Sequence, residues 1–242
     1  MTIDRRRFLG VLSAAFTSPA FVHANTAQSA TPFAATGGVS LEQARSNPLL
    51  ALRRLQEGNA RYARGQGVHA CATPKDFALV AQGQTPFAAI VACADSRTAP
   101  ETIFDQGIGE IFSVRTAGNL VVGGGSAITG SLEYAVAALG VSVVLLLGHS
   151  GCGAMKAALA AHNGAPRAPG DIGPLLDLIQ PAVEAASSLP GDPLAQVTAE
   201  NVRRGVARLR ELDPILRPAA HSGKTVVVGA VHDLATGRIT VV

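Results

Sequence analysis

Phe87-Ala-Ala-Ile-Val-Ala-Cys93-Ala-Asp95-Ser-Arg97 joins an unbroken apolar run to a short polar turn. The run is too uniform for a strand with one wet face. Its length and composition suit a strand buried on both faces of a parallel sheet. A second stretch repeats the design, Val141-Ser-Val-Val-Leu-Leu-Leu147 leading into Gly148-His149-Ser-Gly-Cys152. Gly148 is expected to let the backbone turn at the end of that strand. Ile111-Phe-Ser-Val114 reads as a shorter strand between the two, and Thr225-Val-Val-Val-Gly-Ala-Val231 as the last core strand.

The segments around these strands read as helices. Residues 48–64 place Leu49, Leu52, Leu55 and Tyr62 among basic and polar positions, an amphipathic pattern. Further helices are expected over 74–79, 126–139, 152–161, 175–189, 194–212 and, briefly, 214–220. A glycine-rich turn at 123–125 precedes the second of these, and Pro190-Gly-Asp-Pro193 separates the two long ones. Residues 233–237 form a turn, and 238–242 return as an edge strand. The order predicts a single α/β domain over 41–242, with a central mostly parallel sheet of four core strands plus a C-terminal edge strand, flanked by helices. Aromatics make up only 4% of the chain, so Ala, Val, Leu and Ile must fill the core.

The first 24 residues belong to a different design. Asp4-Arg5-Arg6-Arg7-Phe8-Leu9 precedes a moderately apolar segment over 10–22 and the small residues of Val22-His23-Ala24. This resembles a twin-arginine export signal, removed after the folded chain reaches the periplasm. The apolar run falls short of the ~20 residues a stable membrane span needs. Residues 25–40, rich in Thr, Ala, Ser and Gly, are then a flexible mature N-terminus. Losing three arginines and one aspartate takes the formal charge from +3 to about +1. No basic stripe with interleaved aromatics remains to suggest a nucleic-acid partner.

Cys93 and His149 end two strands and face one rim if those strands are parallel neighbours. His149 and Cys152 are three residues apart across a glycine-containing turn, with Cys152 near a helix N-terminus that favours thiolate. Two sulfurs and an imidazole select zinc over calcium or magnesium. Taken singly, each has a plainer explanation. A cysteine at a strand end is often a small apolar residue, and a lone histidine a hydrogen-bonded core residue. Cys71 lies in a loop without a partner motif and is read as non-ligating. Gly123-Gly-Gly125 and Gly151-Cys-Gly153 lack the spacing of a dinucleotide fingerprint and are better explained as turns around the rim.

With Cys-x-Asp-x-Arg and His-x-x-Cys both present, the chain resembles the β-class carbonic anhydrases. The resemblance covers 48–242 and extends to Glu57-Gly-Asn59, Arg115-Thr-Ala-Gly-Asn119, Ser131-Leu-Glu-Tyr134 and Gly148-His-Ser-Gly-Cys-Gly153. It implies Cys93, His149 and Cys152 as zinc ligands, and Asp95 and Arg97 as a catalytic dyad, with Asp95 a conditional fourth ligand. Gln84, nine residues before Cys93, matches the plant-type subclass, as do Phe112 and Tyr134. Ala117 falls where a bulkier apolar residue is common. The other pocket style uses a tryptophan, and the chain has none.

The activity implied is reversible hydration of CO2 to bicarbonate and a proton by zinc-bound hydroxide, with Gln84 and the Gly153 N–H orienting the product. His69, His162, His221 and His232 are candidate proton shuttles. The resemblance also implies a homodimer able to pair into a tetramer, with the cleft between subunits. The 48–64 helix could pack on that partner or cover its own sheet. Two other readings keep the same metal. Permanent coordination by Asp95 would make a non-catalytic zinc protein. A long segment over the cleft would favour a CO2 analogue such as carbon disulfide, although 163–172 is modest in length.

Overall fold

The computed structural model describes residues 38–69, 73–122 and 126–242. The export signal, most of the mature N-terminus, Cys71 and the 123–125 turn lie outside them. Strands β1 (Ala88–Cys93), β2 (Ile111–Thr116), β3 (Val143–His149), β4 (Val226–His232) and β5 (Ile239–Val241) form one sheet in the order β2-β1-β3-β4-β5. The first four run parallel, and β5 is the antiparallel edge. Every residue of β1 and β3 is buried, as their uninterrupted apolar composition requires.

Helices cover both faces. Ala88, Ile90 and Ala92 of β1 share one core layer with Val143, Leu145 and Leu147 of β3. Against it pack α1 (Leu41–Ser46), α2 (Pro48–Ala63) and, after α3 (Pro74–Val80), α4 (Pro100–Ile103). The alternate residues Ala89, Val91, Val144 and Leu146 meet α5 (Ala127–Ala137), α9 (Pro193–Arg210) and α10 (Leu216–His221). A third apolar cluster lies around the ends of β1 and β3. It takes side chains from α6 (Gly153–His162), α7 (Ile172–Asp177), the Ile179 turn and α8 (Gln180–Ala186).

Three expectations need correction, and one open alternative is resolved. Residues 38–40 are anchored, not loose: Val39 is buried, its carbonyl accepts from Arg54, and Ser40 forms a capping box with Gln43 that starts α1. The single helix over 175–189 is two, α7 and α8. Pro181 has no N–H to give and its ring crowds the preceding turn, so the chain breaks at Leu178 and Ile179. The 48–64 helix covers its own sheet through Ala51 and Leu55, while Leu49 is 72% exposed.

The third correction concerns Gly148, which is not a turn. It lies inside β3, paired with Val231, and the turn is made by Gly151 at φ +67°. Gly148 is required because α9 lies close against the sheet. A Cβ there would sit 2.8 Å from Val202 Cγ2, and one at Gly229 2.5 Å from Val202 Cγ1. Gly148→Ala should therefore cost about 1–3 kcal/mol through overpacking. Denaturant unfolding checks this, and an unchanged midpoint would show that Val202 moves aside freely.

Candidate metal centre

β1 and β3 pair with Ala92 opposite Leu147, so Cys93 and His149 leave the same edge of the sheet one position apart in register. The Gly151 turn then brings Cys152 back as the N-cap of α6. The three candidate donor atoms lie within 4.8 Å of one another, and all three residues are buried. The sulfurs of Cys93 and Cys152 are 4.0 Å apart. That is about twice a disulfide length, and close to the ~3.8 Å edge that two sulfurs make around a tetrahedral zinc.

The imidazole is set for the same task. His149 Nδ1 lies 3.0 Å from the Ser150 carbonyl oxygen, which only accepts, so Nδ1 carries the proton and the lone pair belongs to Nε2. Nε2 is buried and has no hydrogen-bond partner among the described residues. A buried acceptor of this kind facing two sulfurs fits a cation. The donor set therefore fits Zn²⁺, with Cys93, His149 and Cys152 as the residues that would hold it.

The thiols do not titrate alike. Cys93 is held well below the ordinary thiol range, first by its hydrogen bond with Cys152, then by His149 and by the N–H groups of Asp95 and Gly118, against the cost of burial. Cys152 is pushed up by sharing that hydrogen bond and by burial.

Asp95 stands beside this cluster, its Oδ2 3.9 Å from His149 Nε2. Arg97 grips it with a fork, Nε to Oδ1 at 2.9 Å and Nη2 to Oδ2 at 2.6 Å, and adds its backbone N–H to Oδ1 at 3.0 Å. These bonds, the side-chain ones first, hold the carboxyl well below the usual carboxylate range despite some desolvation. The carboxylate is thus charged, within reach of the donor set, and turned toward arginine.

Ala117 and Gly153 border the centre. Ala117 adjoins Gly118, whose N–H reaches Cys93 Sγ at 3.3 Å, and Gly153 opens α6 next to Cys152. Gln84, Phe112 and Tyr134 are elsewhere within one chain. Phe112 pairs with Ala89, four residues before Cys93 and about 13 Å back along the strand. Tyr134 is 52% exposed on α5, its ring 6.2 Å from that of Phe112. Gln84 is exposed in the loop that precedes β1, at the opposite edge of the sheet.

The four histidines divide. His162 and His221 are exposed. His69 sits 3.3 Å from the buried Asp105. His232 is not a surface residue: it is 1% exposed, pairs in register with His149 and tilts against Tyr62. Sequence reading missed Thr98, Arg115 and Asn201, which bond the backbone around Cys93. The run Arg115-Thr-Ala-Gly-Asn119 was a signal for the second of these. Nothing marked Asn201.

A family model described as carbonic anhydrase matches residues 88–239. The chain is 37% identical over 193 residues to carbonic anhydrase 2 of Mycobacterium tuberculosis, covering 80% of this chain and 92% of that one. It is 34% identical over 194 residues to a carbonic anhydrase of Mycolicibacterium smegmatis, covering 80% and 93%. Among solved structures it is similar to the Coccomyxa β-carbonic anhydrase in complex with acetazolamide. There the TM-score is 0.63 and the identity 28%, over 81% of this chain and 85% of that one. Tetrameric β-carbonic anhydrases from Sordaria macrospora give the same TM-score and identity, over 70% and 87%.

Proposed function

The chain belongs to the β-class carbonic anhydrase family and catalyses the zinc-dependent, reversible hydration of CO2 to bicarbonate and a proton; we propose that Asp95 and Arg97 form its catalytic dyad, in a plant-type pocket completed by a second copy of the chain. The observation that carries the site is the buried Cys93–His149–Cys152 set, with the charged Asp95 3.9 Å from His149 and held off by Arg97.

Cys93, His149 and Cys152 would hold Zn²⁺, which when bound would supply an acidified water as nucleophile for CO2 near neutral pH. The chain's own groups do the rest. Asp95, kept ionised and oriented by Arg97, would accept a proton or hydrogen bond from water beside the Cys93, His149 and Cys152 donors. Its engagement with arginine favours a working site over a permanently closed one. Ala117 leaves room for a small apolar substrate, and the exposed N–H of Gly153 is placed to donate to a growing carboxylate.

The exposed Gln84 and Tyr134, with the half-buried Phe112 beside Tyr134, support the dimer. Within one chain they are remote from the metal rim, so a two-fold partner is needed to bring such a set across it. Together with the absence of tryptophan they also support the plant-type subclass. The exposed Leu49 offers further apolar contact. Export through the twin-arginine machinery to the periplasm rests on residues 4–24, outside the described residues. No helix among the described residues is long and apolar enough to cross a membrane.

Metal analysis, stopped-flow CO2 hydration and sedimentation of one preparation test the reading together. One zinc per chain, hydration and a dimer or larger assembly are expected. Tyr134→Ala should lower kcat/KM about tenfold while leaving zinc content unchanged. A fully active monomer would overturn the shared pocket.

A further inference from the structure

The two sulfurs are placed by different means. Cys152 is the N-cap residue of α6, beside that helix's first free N–H groups, although its side chain makes no capping hydrogen bond. That arrangement is a helix's own first turn and supports itself. Cys93 has no helix behind it. Its sulfur accepts from Asp95 N at 3.4 Å and from Gly118 N at 3.3 Å, two groups in loops that leave different strands.

Each loop is tied by a side chain from elsewhere. Arg115, on β2, donates through Nε to the Cys93 carbonyl at 3.0 Å and through Nη2 to the Asp95 carbonyl at 2.5 Å. Thr98 Oγ1 lies 3.1 and 3.0 Å from the same two oxygens. On the other side, buried Asn201 of α9 donates through Nδ2 to the Gly118 carbonyl at 3.1 Å. Gly118 needs such a tie. It holds φ +71° between Met155 and Ala154, which a Cβ would approach to 3.1 and 3.2 Å.

We propose that Arg115 and Asn201 are positioning residues for the Cys93 thiolate, aiming the N–H groups of Asp95 and Gly118 at its sulfur and so setting how strongly Cys93 donates to the metal. Two full thiolates neutralise a divalent zinc and weaken its pull on water. Hydrogen bonds to a ligating sulfur withdraw charge from it, a recognised way of tuning cysteine-bound metals. Loosening Cys93 in this way gives back part of the acidity that two sulfurs remove.

The inference rests on the zinc assignment, and cobalt(II) substitution separates the two. If wild-type cobalt protein lacks thiolate-to-metal charge-transfer absorption, the metal assignment itself fails. If the band is present, Asn201→Ala and Arg115→Met should move it to longer wavelength. They should also release zinc to a chelator several-fold more slowly, because a thiolate freed of these hydrogen bonds donates more strongly, and shift the midpoint of CO2 hydration to higher pH. Folded variants with an unchanged band and release rate would overturn the proposal, whatever their melting temperature. Where Asn201→Ala does not fold, Asn201→Ser serves, because its shorter donor cannot reach as far and should give the same band shift. Arg115→Lys keeps the charge without the fork. It should behave like Arg115→Met, and restoration of the wild-type band by lysine would show that charge matters and aim does not.

Discussion

Cys93→Ser protein is expected to purify with almost no zinc and to hydrate CO2 at the rate of buffer alone. Serine keeps the shape of the side chain but gives up the thiolate, which at neutral pH is the stronger donor by far. His149 and Cys152 would remain as a two-ligand site, too few to retain the ion against dilution. Enzymes owe about 10⁶-fold or more to their catalytic apparatus, so the measured loss should be limited by background, on the order of 10³-fold at least. Metal analysis and stopped-flow hydration on the same sample check it. A zinc-replete Cys93→Ser enzyme would remove Cys93 from the ligand set. Circular dichroism of the variant should be near native, since β1 is buried on both faces whether or not metal is held.

The dyad should show the next largest effect. Asp95→Asn is expected to keep zinc while turnover falls about 10²-fold, because the amide cannot serve as the proton acceptor. Arg97→Ala acts differently. Asp95 has a depressed pKa, so its carboxylate is ionised at every pH above the ordinary carboxylate range, and losing Arg97 only lets that pKa rise toward 3.8. Between pH 6 and 9, about two units or more above that value, Asp95 therefore stays charged in both proteins. The change comes from release: a freed carboxylate 3.9 Å from His149 Nε2 turns to the open ligand position. Activity in Arg97→Ala should be low near neutrality and recover as pH rises and hydroxide competes for that position. A pH profile superimposable on wild type would remove Arg97 from the mechanism.

What the sequence disclosed depends on the physical form of the signal. β1 and β3 were legible because a buried parallel strand is an unbroken apolar run, and the ligands because they sit where those runs stop. Gly148 was misread for a reason of distance. Its need is the close approach of Val202, residues away in the chain, and no local pattern carries that. Asn201 was hidden for a related reason: it bonds a backbone carbonyl, which every residue has, so no complementary side chain announces it, whereas Arg115 lay in a run that the resemblance had already singled out. The two-helix division at Ile179 was locally readable from Pro181. The α1 helix was equally readable from Ser40 and Gln43.

The ligand spacing also fixes an order of events. His149 and Cys152 are near neighbours in the chain, but Cys93 stands 59 residues before Cys152. An unfolded chain can offer zinc only the short His-x-x-Cys half, a weak chelate, because closing so long a loop costs entropy that the ion must supply. Once β1 and β3 have paired, the closure has been made by the sheet. Zinc is then the last component to arrive, a passenger on a finished frame, and its uptake by the apoprotein should proceed without a folding phase.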